Sequence, residues 1–343
     1  MRVRLEDVAR AAGVSPKTVS RVLNEEAYVK DSTRQRVLAA MESMNYRPSP
    51  SARGLAGSRS FLVAMLYDNN DNPASTYLAE IQDGVLDACN ENRYSMMVCP
   101  LRMRGPDFIR RVDALISDHH VDGVVLTPPL TDHPPLLRRL KEREVPYASV
   151  SPTNRNNVIG VSMDDEQAAK ALVTHLVELG HRRIAHVLGI ANHGASRWRL
   201  AGYKAALSAA GIPYDPDYVV QGDFLFGSGV VEARKLFALA EPPTAIFAAN
   251  DDMAVGVMWA ANERGLKVPR DLSVCGFDDT PLASQLWPPL TTVRQPAREM
   301  GKLAALQLME LLRGRGTGLL VQVPFTLQLR ESTAAPPDTR GTA

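Results

Sequence analysis

Apolar positions at the start of the chain follow helical spacing. Leu5, Val8, Ala9 and Ala12 fall at i, i+3, i+4 and i+7, and Gly13 ends the stripe. In "SPKTVSRVL", Val19, Val22 and Leu23 take one side of a short helix from Pro16, while Lys17 and Arg21 take the other with Thr18 and Ser20. Proline presets φ for the first helical position, and Ser15 is placed to cap the free N–H groups. Farther on, Val37, Leu38, Met41 and Met44 supply a third apolar face, and Ser32 with Gln35 has capping-box spacing. Helices this short need one another for support. Two helices joined by a tight turn containing Gly form the helix-turn-helix pattern, whose second helix enters the DNA major groove. A bundle with merely solvated charges fits the same stripes.

From Phe61 onward the pattern changes to short apolar runs alternating with amphipathic segments. "FLVAMLY", "YSMMVCP", "VDGVVLTP", "VPYASVS", "RRIAHVLGI", "YVVQGD", "TAIFAAN" and "LSVCGFDD" read as buried strands with helical patterns between them. This alternation predicts an α/β body of two doubly wound parallel-sheet lobes, with ligands beyond the C-terminal strand ends. Residues there are polar: 68–72, Thr127, Ser151, the stretch from Gly189, Asn250-Asp251 and Asp278-Asp279.

Between the two patterns lies "RPSPSARGLAGSRS". Pro48 stops the third helix, and Ser49-Pro50 repeats the Ser-Pro start signal. The two turns at 51–56 contain Gly54, which costs roughly 1 kcal/mol relative to Ala in a helix. Alone this is a linker. Because Ala52 and Leu55 share one face, with Arg53 and Arg59 bringing charge, it also reads as a helix that forms only on a partner.

Charge favours the DNA reading. Residues 1–59 hold eleven Lys/Arg and six Asp/Glu, and the rest hold 28 and 32. A basic head on a mildly acidic body suits contact with phosphates at one end. Three cysteines without metal spacing imply reduced thiols. With no leader and no apolar run of bilayer length, they point to the cytoplasm and away from membranes. Phosphate-loop, dinucleotide and nucleophile-elbow motifs do not occur in the sequence, which speaks against an enzyme. His181, His186 and His193 lack a metal pattern and read as helix-end or surface residues, so neither a metal nor a cofactor is expected. The end, "STAAPPDTRGTA", is expected to be disordered from 334 and carries no heptad for a tetramerising coiled coil.

"LEDVARAAGVSPKTVSRVLN", then "TRQRVLAAMESMNYRPSPSARGLAG", then "LGHRRIAHV", "RLAGY", "ANDDMAVG", "VCGFDD" and "PPLTTVRQP" in order resemble the LacI/GalR family of bacterial transcription regulators. The resemblance implies a three-helix head at 1–47, a hinge helix at 48–59 and a body like periplasmic sugar-binding proteins. Its crossings near Val161, Thr292 and Val323 give one lobe from 60–161 and 293–322 and the other from 162–292 and 323–333. It further implies that Pro16, Lys17 and Arg21 read base edges. Ser15, Thr18, Ser20, Asn24, Tyr28 and Thr33 hold phosphates, and Leu55, with Ala52 beside it, wedges into a central base step. Arg199, Asn250 and Asp278 would contact the effector, Phe224 would pack on its face, and Asp68, Thr127, Ser151 and Gln295 would stand nearby. Capping of the following helices is an equally simple role for Asn250 and Asp278. "YDNNDNPASTY" offers acids and amides without Lys or Arg, so an anionic effector is disfavoured. The implied protein is a cytoplasmic, nucleoid-associated homodimer. It binds double-stranded operator DNA and is released by a sugar; the alternative is a purine- or nucleoside-responsive regulator whose ligand acts as co-repressor.

Overall fold

The computed structural model describes residues 3–23, 28–46, 60–69, 76–156, 158–191, 193–316 and 318–337. The head comprises α1 (Leu5–Ala12), α2 (Pro16–Leu23) and α3 (Asp31–Ser43). Gly13 ends α1 at φ 63, where a side chain is disfavoured, and Val14 N–H closes back on the Ala9 carbonyl at 3.0 Å. Val8, Ala9, Ala12, Val19, Val22, Val37 and Ala40 form the head's own core. On α3 the apolar face is Val37, Ala40, Met41 and Met44, whereas Leu38 is 49% exposed. Position 38 lies off the i, i+3, i+4, i+7 set, so the expectation for Leu38 is corrected. The Ser32 capping box is corrected as well: α3 starts at Asp31, placing Ser32 inside the first turn, and the N-cap residue Lys30 makes no side-chain cap bond.

The body runs β1 (Leu62–Asp68), α4 (Thr76–Glu91), β2 (Ser95–Leu101), α5 (Phe108–His119), β3 (Gly123–Leu126), α6 (Pro134–Glu142), β4 (Tyr147–Val150) and β5 (Gly160–Met163). There follow α7 (Asp165–Glu178), β6 (Ile184–Leu188), α8 (Gly194–Ala209), β7 (Val219–Gln221), α9 (Phe226–Leu236), β8 (Ala245–Ala248), α10 (Asp251–Glu263) and β9 (Ser273–Cys275). The last elements are α11 (Pro281–Gln285), β10 (Thr292–Arg294), α12 (Ala297–Leu312), β11 (Leu320–Val323) and β12 (Thr326–Gln328). Six strands pair in the order β11-β5-β4-β3-β1-β2, and four in the order β7-β6-β8-β9; every pairing in both sheets is parallel. β10 and β12 form a separate antiparallel pair, with Thr292 opposite Gln328. β5 stays in the six-stranded sheet as far as Met163, where it pairs with Val323.

Parallel strands covered on both faces read as continuous apolar runs, and β1, β3 and β8 obey this. One core cluster runs from Val63 and Met65 through α12 and α7 to Phe247 and Phe277, joining the two sheets along one flank. Each sheet packs a further cluster on its other face. Backbones meet at Gly84 and Gly301: a Cβ on Gly84 would fall 1.9 Å from the Arg298 carbonyl oxygen, so α4 and α12 touch only because both positions lack side chains.

Two expectations fail in this region. His181 and His186 are buried, at 1% and 0% exposure: both ring nitrogens of His181 find partners inside the fold, whereas His186 bonds the Phe247 carbonyl through Nδ1 and leaves Nε2 without a partner among the described residues. Nor does disorder set in at 334: Ala334 accepts from His181 Nε2 at 2.9 Å and donates to Ser273 Oγ at 3.0 Å, and the described chain continues to Pro337.

Candidate functional site

The head presents one polar face. Ser15 Oγ accepts from Thr18 N–H at 3.2 Å and lies 2.9 Å from Thr18 Oγ1, capping α2 as its position suggests. Ser15, Pro16 and Lys17 are exposed, Ser20 is half-buried, and Val19 and Val22 point inward. The Arg21 guanidinium sits 5.2 Å from the ring centroid of Tyr28, which is 68% exposed. Thr33 lies in the first turn of α3. Asn24, Ala52 and Leu55 lie outside the described residues.

In the body, groups converge where the strands of both sheets end. Asp165 opens α7 directly after β5, and Arg199 projects from α8. Arg199 Nε and Nη2 donate to Asp165 Oδ1 at 3.1 and 2.9 Å, and Nη1 donates to the Ala249 carbonyl at 2.5 Å. The guanidinium lies 3.6 Å from the Phe277 ring centroid and 3.8 Å from Asp278 Oδ1. Three of its five N–H groups are thereby committed. Asp278, at φ 116, accepts from Gln295 Nε2 at 2.6 Å. Burial pushes the Asp278 carboxyl well above the usual range against the pull of Arg199, and Asp251 pushes it further. Burial likewise raises Asp165 and Asp251. Asp251 accepts from Thr280 N at 2.8 Å and Thr292 Oγ1 at 2.6 Å.

Of the residues expected at the cleft, Arg199, Asp278 and Gln295 form one connected group. Asn250 caps α10 by accepting from Met253 N–H at 3.0 Å, and its Nδ2 donates to the Phe224 carbonyl at 3.0 Å. The Phe224 ring fills the space beside Gly189, where a Cβ would lie 2.0 Å from it. Ser151 reaches the cluster through Tyr77. Thr127 and Asp68 are engaged with neighbouring strands: Thr127 Oγ1, after β3, donates to the Leu66 carbonyl of β1 at 3.1 Å, and Asp68 Oδ1, at the end of β1, accepts from Met103 N–H, just after β2, at 2.9 Å.

Sequence reasoning missed Tyr77 and Asp165, whereas His193 stands at a helix end as expected. Tyr77 at the start of α4 interacts with Ser151, Asp165, Asp278 and Arg199, and burial raises its phenol. His193 caps α8 by accepting from Ala195 N–H at 3.3 Å and meets Phe224 edge-on at 5.4 Å. Burial first and Arg199 second bring His193 down to about 4, so it is neutral near pH 7. At the mouth, Arg197 Nη2 donates to Thr153 Oγ1 at 3.4 Å, Thr153 Oγ1 donates to Asp132 at 2.6 Å, and the Arg155 guanidinium covers Trp198 at 4.8 Å. Beside β10 and the end of β12, the covered Asp279 carboxylate accepts from Arg294 Nε at 2.6 Å and Arg330 Nη2 at 2.5 Å. Among the described residues no group of three His, Cys, Asp or Glu is placed to hold a metal ion, and no helix is long and apolar enough to cross a membrane.

A family described as bacterial regulatory proteins of the lacI type matches residues 4–49, and a periplasmic binding protein-like domain matches 173–333. The catabolite control protein A of Priestia megaterium is 35% identical over 342 residues, 97% of this chain and 100% of that protein. The chain belongs to the LacI family. As a LacI-family member it is a transcriptional regulator and not an enzyme. The ribose operon repressor of Escherichia coli K12 is 36% identical, covering 88% of this chain and 90% of its own. Among solved structures, the lac repressor dimer bound to operator and the anti-inducer ONPF matches with a TM-score of 0.80 at 30% identity, covering 98% and 100%. The complex of the regulator CelR with cellobiose matches at 0.75 and 34%, covering 96% and 100%.

Proposed function

We propose that this LacI-family chain is a homodimeric repressor of a carbohydrate-utilisation operon, released from a palindromic operator when a sugar closes the cleft. The observation that carries this reading is the Arg199–Asp278–Gln295 group. Fork-shaped donors and a carboxylate face one another at the end of both sheets, which suits paired hydroxyls. Tyr77, Ser151, His193, Phe224 and Asn250 complete the wall, with neutral or aromatic character that suits the C–H face of a sugar. Ser15, Pro16, Lys17, Thr18, Ser20, Arg21, Tyr28 and Thr33 are assigned to DNA, with Asn24, Ala52 and Leu55 assigned from the sequence alone. A relative that represses a ribose operon and a similar regulator held with cellobiose support the effector class. The lobes are taken as discontinuous, joined by the crossings at β5/α7, β10 and β12, with the head and linker before residue 60. Acting on DNA, the protein works at the nucleoid.

The test is a thermal-shift screen of mono- and disaccharides beside purine bases and nucleosides. A sugar that stabilises the full chain, and fails to stabilise Asp278→Asn, supports the reading. Stabilisation by a purine and by no sugar overturns the effector class.

A further inference from the structure

The body begins with a joint that neither the cleft nor the head explains. Ser60 N–H and Ser60 Oγ donate to Asp122 Oδ1 at 2.7 and 2.9 Å, and Phe61 N–H donates to Oδ2 at 2.8 Å. The Asp122 amide in turn donates to the Leu62 carbonyl at 2.8 Å, so the staple is reciprocal. Phe61 is held at φ 54, a conformation that a residue with a side chain keeps only when its surroundings over-determine it. Those surroundings are the Asp122 carboxylate, the Tyr94 ring at 5.4 Å, and Ser95 N–H donating to the Phe61 carbonyl at 2.7 Å.

Asp122 is itself fixed. It is followed by Gly123, where a Cβ would stand 2.8 Å from Leu308 and 3.1 Å from the Pro146 carbonyl oxygen, so the start of β3 is seated against α12. The joint lies at the opposite end of β1 and β3 from Asp68 and Thr127. β1 pairs with β2 and β3 from Leu62 and Val63 onward, so three hydrogen bonds placed ahead of it are not needed to register the sheet. What they hold is residues 60 and 61, the first described residues of the body, against the start of β3.

The geometry points to Asp122 as a positioning residue for DNA recognition: its carboxylate fixes the exit direction of the linker and thereby the half-site spacing that two heads can read. This rests on the dimeric DNA-binding reading above. Each base pair inserted between half-sites moves one of them by about 3.4 Å and turns it by about 35° around the duplex axis. Heads on fixed exits cannot follow that movement, whereas heads on loosened exits can.

The experiment uses duplexes enriched from a random-sequence pool by the unaltered full chain, then remade with one or two base pairs added at the centre. With the unaltered chain, two added pairs should weaken binding by about tenfold or more; with Asp122→Asn the loss should shrink to about threefold or less. Ser60→Ala, which removes one of the three donors, should move the ratio in the same direction by less. Thermal unfolding of each variant separates a general loss of stability, which lowers affinity on every duplex without changing the ratio. An unchanged ratio in folded Asp122→Asn overturns the assignment, as does a uniform loss of affinity. If Asp122→Asn does not fold, an unchanged ratio in Ser60→Ala overturns it. Should the unaltered chain enrich no two-fold-symmetric duplex, the dimeric reading falls and this assignment with it; only a chain that does enrich one tests Asp122 by itself.

Discussion

Arg199 and Asp278 stand in one buried network, and under the proposed reading removing the Asp278 charge acts in opposite directions on ligand and fold. Asp278 carries a carboxyl raised by burial, so its ionised form opposes folding near neutral pH. Asp278→Asn keeps an acceptor for Gln295 while relieving that desolvation. The variant should therefore melt at or above the parent's temperature, yet lose sugar affinity by about tenfold or more, as for a charge-assisted bond. Calorimetric titration beside thermal unfolding checks both halves. His186 gives the pH prediction. It donates Nδ1–H to the Phe247 carbonyl at 2.9 Å, stacks on the Phe247 ring, and burial followed by Arg199 brings it from 6.5 down to about 4. Between those values the unfolded chain binds more protons. Stability from His186 is thus full above about 6.5 and is lost as pH falls toward 4, an effect of about 3 kcal/mol. His186→Phe should flatten that part of the profile of melting temperature against pH; an unchanged slope contradicts the assignment. At this scale the motifs "RLAGY" and "GFDD" singled out Arg199 and Asp278, which the structure brings within 3.8 Å of each other. Tyr77 and Asp165 escaped because each meets Arg199 only once separate strands have been brought side by side. The burial of His186 escaped because its strand pattern says nothing about which helix covers it.

Among the elements, α2 is the most exposed to single substitutions because its core is small. Ser15→Ala removes a cap at 3.2 Å from the Thr18 amide and should cost the head about 1 kcal/mol, read from the head's own melting transition. Lys17→Ala or Arg21→Ala should instead weaken specific DNA binding by about 1–3 kcal/mol while relaxing preference at particular base pairs. Equal losses on every sequence would reassign these side chains to phosphates. Helical stripes with a Gly stop and a Ser-Pro start were legible because local chemistry dictates them. On α3 the stripe was misread by one residue at Leu38, since two neighbouring apolar residues leave the phase to be settled by contacts with α1 and α2. The short strands β10 and β12 carry only three residues each, too few for periodicity to register. Near the cleft mouth, Arg155 over Trp198 supplies an optical probe. In a chain with Trp259 and Trp287 replaced by Phe, Arg155→Ala should shift Trp198 emission to the red as the mouth loosens, and a sugar that closes the cleft should reverse part of the shift.

Across the whole molecule, the arrangement places a basic three-helix head ahead of a body whose two sheets share a core flank, with three crossings between the lobes as part of the proposal. Strand-helix alternation made the two-lobed body legible. It did not reveal that the segment after β12 is pinned across β9 by His181, Ser273 and Ser332, because "STAAPP" has the composition of a free tail and its partners lie about 60 to 150 residues earlier. The proposed relay needs the lobes, the crossings clamped by Asp279 and the linker to act in series, and a coupling of about 1–3 kcal/mol is enough to change operator occupancy. Leu55→Ser should then reduce operator affinity sharply and leave sugar affinity nearly intact. The central claim is tested most directly by the affinity of the full chain for its enriched duplex, measured by fluorescence anisotropy with and without the stabilising sugar at saturation. The account predicts a fall of about five- to 150-fold when the sugar is present; equal affinity in the two titrations, with the sugar shown to be bound, would contradict it.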